Sequence, residues 1–161
     1  MSDATDAFAR DAELRRRNRA TVESYLEETK GEARLNRHRL FAEDASAGLW
    51  TSDTGEPIMV HGKDRLASHA EWSLKCFPDW HWFNIELYET QDPGRFWVEC
   101  DGEGLIRFPG YPEGHYKNHF LHYFQVEDGL IVQNREFMNP FNQARALGLE
   151  VPRIRREGIP T

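Results

Sequence analysis

The stretch from His115 to Phe141 constrains this chain more than any other. Two alternating runs flank Glu127-Asp128-Gly129, the pattern of a long antiparallel hairpin closed by a tight glycine-containing turn. Side chains alternate faces along a strand, so Tyr116, Asn118, Phe120, His122 and Phe124 share one face, and His119, Leu121 and Tyr123 share the other. On the return strand the same parity sets Leu130, Val132, Asn134, Glu136 and Met138 against Ile131, Gln133, Arg135 and Phe137. Glu136 thereby falls beside apolar residues, where a carboxylate must be paired, hydrogen-bonded or protonated. Spacing alone suits a structural glutamate bridged to an arginine as well as a catalytic acid.

The chain ahead of the hairpin turns from helical to extended. Residues 1–10 read as a flexible arm, and 11–29 as a helix with Leu14, Val22, Tyr25 and Leu26 at helical spacing. Arg15, Arg16, Arg17 and Arg19 read as its solvated face. Gly31 breaks that helix, and a second is expected over 32–42 with Leu35, Leu40 and Phe41 inward and Arg34, Arg37 and His38 on or beside that face. Residues 46–52 and 57–61 read as short strands around the turn residues 53–57. Gly62 opens a third helix, 63–77, which Pro78 closes. His69 and Ser73, four apart, present an imidazole and a hydroxyl to one volume beside the stripe Leu66, Ala70, Leu74 and Phe77, with Trp72 nearby. A histidine there serves equally as a satisfied core residue, and an arginine such as Arg37 equally as surface.

Residues 81–88 and 95–101 alternate as strands, and Gly102 and Gly104 mark a bulge or sharp bend. A short helix near 142–147 and an extended tail over 148–161 complete the chain. This is the order of a single α+β domain over 1–161. N-terminal helices cover one face of a curved antiparallel sheet, leaving a cone-shaped pocket suited to a small molecule.

Composition removes several function classes. A net charge of -7 opposes general binding to nucleic acid or an anionic membrane. With no apolar run of membrane length and a polar, acidic N-terminus, a cytoplasmic protein is expected. Cys76 and Cys100 form no metal or redox motif. The run Gly102-Glu103-Gly104-Leu105-Ile106-Arg107 fails the dinucleotide fingerprint, no P-loop occurs, and no Ser or Cys sits in a nucleophile elbow. His119 and His122 fall on opposite strand faces and cannot easily share a metal. What remains is acid–base chemistry in an aromatic pocket, with no metal and no cofactor expected.

The runs RHRLFAED, GLWTSDTGEPI, GKDRLASHAEWSLKCFPDW, FWVECDGEG, RFPGYPEGHYKNHFLH and NREFMN, in that order, resemble the phenazine biosynthesis A/B proteins. The resemblance implies a ketosteroid isomerase-like fold that pairs through its sheet, as a homodimer or as a heterodimer with a close paralogue. It also implies an activity: head-to-tail double condensation of two amino-oxo-cyclohexene carboxylic acid molecules to a tricyclic hexahydrophenazine dicarboxylic acid. By the same resemblance Glu136 in NREFMN is the acid and His69 in ASHAEW its proton-transfer partner. Arg37 in RHR would hold a substrate carboxylate, and Ser73 would hydrogen-bond in the pocket. Trp72, Trp80 and Tyr116 are expected as aromatic liners from parity and position. The alternative is a binding subunit that shelters the substrate or pairs with an active partner.

Overall fold

Helix α1 (Ser2–Glu27) contains neither Gly nor Pro, so nothing in its backbone interrupts helix propagation. The computed structural model describes residues 2–160, and over them the expected flexible arm is helical, with the side chains of 4–13 exposed. Position 1 lies outside the described residues. Val22, Tyr25 and Leu26 form the buried face of α1. Its arginines do more than face water. Arg15 donates to the carbonyls of Thr90 at 2.6 Å and Gln91 at 3.1 Å, while Arg17 pairs with Asp128 and Arg19 with Glu89.

Residues Gly31–Leu40 form a 3-10 helix rather than the α-helix expected over 32–42. Its period of three residues stacks Arg34, Arg37 and Leu40 in one row. Arg34 is fully buried, while Leu35 falls off the inward side and is 38% exposed. Strands β1 (Phe41–Leu49) and β2 (Ile58–His61), helix α2 (Lys63–Cys76), strands β3 (His81–Glu89), β4 (Arg95–Ile106), β5 (Gly114–Glu127) and β6 (Leu130–Met138), and helix α3 (Pro140–Ala146) follow. The six strands lie in the order β2-β1-β6-β5-β4-β3, antiparallel throughout except that β1 runs parallel to β6.

The β5–β6 hairpin turns on Asp128 (φ 50°) and Gly129 (φ 80°), two left-handed residues that match the twist of the strands they join. Helix α1 grips this turn. Buried Asn18 accepts from the Gly129 N–H at 2.9 Å, and Thr21 donates to the Gly129 carbonyl at 2.7 Å. A bulge follows, since Val126 pairs with Ile131 but Gln125 with Gln133, leaving Val132 as the extra residue. Simple alternation over 130–138 is therefore broken. Ile131 is fully buried and Leu130 is 40% exposed, so Leu130 leaves the face of Glu136 and Ile131 replaces it.

The glycines of β4 act differently from the expected bend. β4 passes through Gly102 and Gly104 in continuous register with β5, and the irregularity lies in β3, between Phe83 and Glu86, at Asn84 with φ 51°. A Cβ on Gly102 would lie 2.3 Å from the ring of Trp80 and 2.6 Å from that of Trp82. The glycine lets two indoles lie against the strand. The core is completed by Phe96, Val98 and Cys100 on β4 and by Phe120 and Phe124 on β5, all at most 3% exposed. In the tail, Ile154 is 72% and Ile159 56% exposed, so these residues do not pack on the body of their own chain. No helix among the described residues is long and apolar enough to cross a membrane.

Candidate active site

Helix α1, the 3-10 helix and α2 close over the inner face of the sheet around a cavity of about 420 Å³. All seven residues singled out in the sequence line it: Glu136, His69, Arg37, Ser73, Trp72, Trp80 and Tyr116. The bulge in β6 and the parity beyond it aim Glu136 inward, opposite His122 of β5. Its side chain retains 20% of its exposure. Burial pushes its carboxyl up to about 7, against the opposing pulls of the Arg37 cation and the Tyr25 hydroxyl.

His69 shows the opposite displacement. Burial, and then the charge of Arg37, lower its pKa below the ordinary imidazole value. Its ring packs 5.4 Å from that of Trp72, which is 41% exposed and stands at the rim. Near neutral pH the cavity therefore holds a carboxyl able to donate a proton and an imidazole free to accept one, the division of labour that acid–base chemistry requires.

Arg37 is held by two neighbours. One guanidinium nitrogen donates to Thr29 Oγ1 at 2.8 Å, and the group lies 4.4 Å over the ring of Tyr25. Ser73 is engaged already, since its hydroxyl accepts from Arg34 at 3.2 Å. Arg34 also donates to the carbonyls of Thr29 at 2.7 Å and of Ser73 and Phe77 at 2.9 Å. It is a buried strut that fixes the 3-10 helix, which carries Arg37, to α2, which carries His69, and both residues line the same cavity. Trp80 and Tyr116 pack at 5.2 Å, and the Tyr116 hydroxyl accepts from Asn118 at 2.9 Å.

Residues 2–161 match the family described as phenazine biosynthesis protein A/B. The chain belongs to that family. It is 65% identical to the phenazine biosynthesis protein PhzB of Pseudomonas fluorescens, with 99% of each chain covered. The crystal structure of a phenazine biosynthesis-related protein, PhzB2 of Pseudomonas aeruginosa, superposes with a TM-score of 0.92 at 64% identity, covering 96% of this chain and 99% of that one. A putative polyketide cyclase of Xanthomonas campestris, 18% identical, covers 83% of this chain and 98% of its own with a TM-score of 0.71. At that identity the likeness concerns the fold, which is ketosteroid isomerase-like.

Three relationships at or behind the cavity escape a reading by alternation and helical spacing. Tyr25 reads as one more apolar residue of α1, yet its hydroxyl faces Glu136. Helical spacing sets Arg34 on or beside the inward face, but not its full burial or its bonds to the carbonyls of Ser73 and Phe77. His122 shares the parity of Tyr116 and Phe120, which placed it inside, but nothing in its spacing shows that it confronts Glu136.

Proposed function

We propose that this phenazine-family chain catalyses the head-to-tail double condensation of two amino-oxo-cyclohexene carboxylic acids to the tricyclic dicarboxylic acid. Each amine attacks the other molecule's ketone, two C=N bonds form and two waters leave. The observation that carries the reading is the pairing, in one cavity, of a carboxyl raised to about 7 with a histidine lowered by burial. Glu136 delivers a proton to the ketone oxygen, is recharged with the proton His69 takes up, and then protonates the departing hydroxyl; loss of the iminium N–H restores the proton to the pair. His69, neutral, takes a proton from the ammonium formed by attack. Arg37 holds a substrate carboxylate with its guanidinium fork. Trp80 and Tyr116 wall the reactants, so that part of the acceleration comes from orientation, worth up to about 7–11 kcal/mol.

The chain works as a dimer, homomeric or with a close paralogue, through the outer face of the sheet. That face carries Trp97 5.3 Å from Tyr123 and 5.8 Å from Phe137, with Leu121 41% exposed beside them. Mixing purified protein with freshly generated substrate should give the tricycle faster than the spontaneous reaction. A protein that binds substrate without accelerating its condensation would instead be a sheltering subunit.

A further inference from the structure

His122 is buried without a hydrogen bond in the midst of an aromatic stack. Its ring lies between those of Phe120 and Phe124, each 5.8 Å away and within 20° of parallel, with Trp82 edge-on at 4.8 Å. It is 0% exposed, and neither ring nitrogen has a partner. A phenyl ring would suit these neighbours, whereas an unpartnered imidazole is costly to bury. Among the described residues, the one carboxylate near its nitrogens is Glu136, with Oε1 3.9 Å from Nδ1. The two residues are direct cross-strand partners.

We propose that His122 is a positioning residue for Glu136, a neutral imidazole whose Nδ1–H turns to the carboxylate left when Glu136 gives its proton to substrate. The inference rests on Glu136 being the acid of the proposed condensation. Rotation of the carboxyl closes the present gap. The proton of Glu136 forms the new O–H bond on substrate, and the imidazole keeps its own. The ring has to remain neutral, because a histidinium here would hold Glu136 ionised and abolish its acidity. Burial and the charge of Arg37 ensure this, pushing His122 down to about 3. The groups facing the pair from other elements are Arg37, Tyr25 of α1 and Cys100 of β4, with Tyr116 further along β5. Tyr25 and Cys100 are each pushed up to about 12 and Tyr116 is raised too, so none of them titrates where Glu136 does. His69 titrates below its ordinary value.

The test is a carbon-13 NMR titration of the Glu136 carboxyl in the full-length protein, its signal assigned by its loss in Glu136→Gln. His122→Phe should raise that titration by about one unit, since a hydrogen bond to the carboxylate is gone. The high-pH limb of kcat should move with it, kcat should fall about tenfold, and KM should stay unchanged. His122→Leu serves if the larger ring disrupts the stack. His122→Asn, whose amide N–H stands near the original Nδ1–H, should return both titration and kcat toward wild type. An unmoved carboxyl titration in both His122→Phe and His122→Leu, or no recovery with His122→Asn, would overturn the inference. A purely structural histidine would change melting temperature and leave the titration alone. If instead Glu136→Gln condensed substrate at the wild-type rate, Glu136 would fall as the acid of the proposed condensation, and the titration would still decide the link between His122 and Glu136.

Discussion

The guanidinium of Arg37 lies 4.4 Å over the ring of Tyr25, and Tyr25 in turn presents its hydroxyl to Glu136. One cation thus pulls downward on Glu136, His69 and His122 alike, against the larger upward push of burial at Glu136 and together with burial at the two histidines. Within the described residues Arg37 has a threonine and an aromatic ring as neighbours but no paired carboxylate. Its charge is left for a ligand.

Arg37→Ala should therefore weaken binding of a carboxylated product analogue by about 1.5–3 kcal/mol, the worth of a charge-assisted hydrogen bond, and barely affect the carboxamide. Calorimetry with the two ligands checks this. Equal losses would make Arg37 a structural residue. Removing the cation, or neutralising it with a bound carboxylate, should also raise the Glu136 pKa above about 7.

Glu136 links activity to stability in opposite senses. Its folded pKa of about 7 exceeds the ordinary 4.5, so the folded state binds this proton more tightly than the unfolded chain. The stability contributed by protonation is fully present below 4.5 and is lost as pH rises through 7. Glu136→Gln should accordingly match wild type near pH 4 and be more stable near pH 8, by at most about 3 kcal/mol. Its melting temperature across that range tests the sign. The same variant should retain ligand binding and lose most of the acceleration over spontaneous condensation, about 10²–10⁴-fold.

Arg34 should prove a stability residue with an indirect effect on function. Arg34→Met leaves the carbonyls of Thr29, Ser73 and Phe77 without their donor and should cost about 3 kcal/mol or more. Arg34→Lys should recover little, because one ammonium cannot reproduce a planar fork. Thermal denaturation measures both, and a neutral Arg34→Lys would show that the fork geometry is unimportant.

The tail makes a prediction about assembly. Ile154 and Ile159 are exposed on their own chain, so removing residues 152–161 should leave secondary structure intact while weakening self-association. Sedimentation velocity over a concentration series is the measurement. An unchanged association constant would show that the tail takes no part in the interface.

The sequence by itself determined the α+β order and the inward row of Tyr116, Phe120 and His122. Both rest on period-two and period-three-to-four patterns that local geometry enforces. The same patterns, with the family's motifs, brought the seven cavity residues to notice. Only the tertiary structure decided what surrounds Glu136. A bulge at Val132 exchanged Leu130 for Ile131 on its face, and a bulge arises from pairing between strands, which alternation within one strand cannot record. The row of Arg34, Arg37 and Leu40 likewise depended on a 3-10 winding that packing against α2 selects, through the buried guanidinium of Arg34. Gly102 looked like a bend, but it is an accommodation to Trp80 and Trp82 of an earlier segment. Residues distant in sequence set each of these, so their cause lies in packing rather than in local preference.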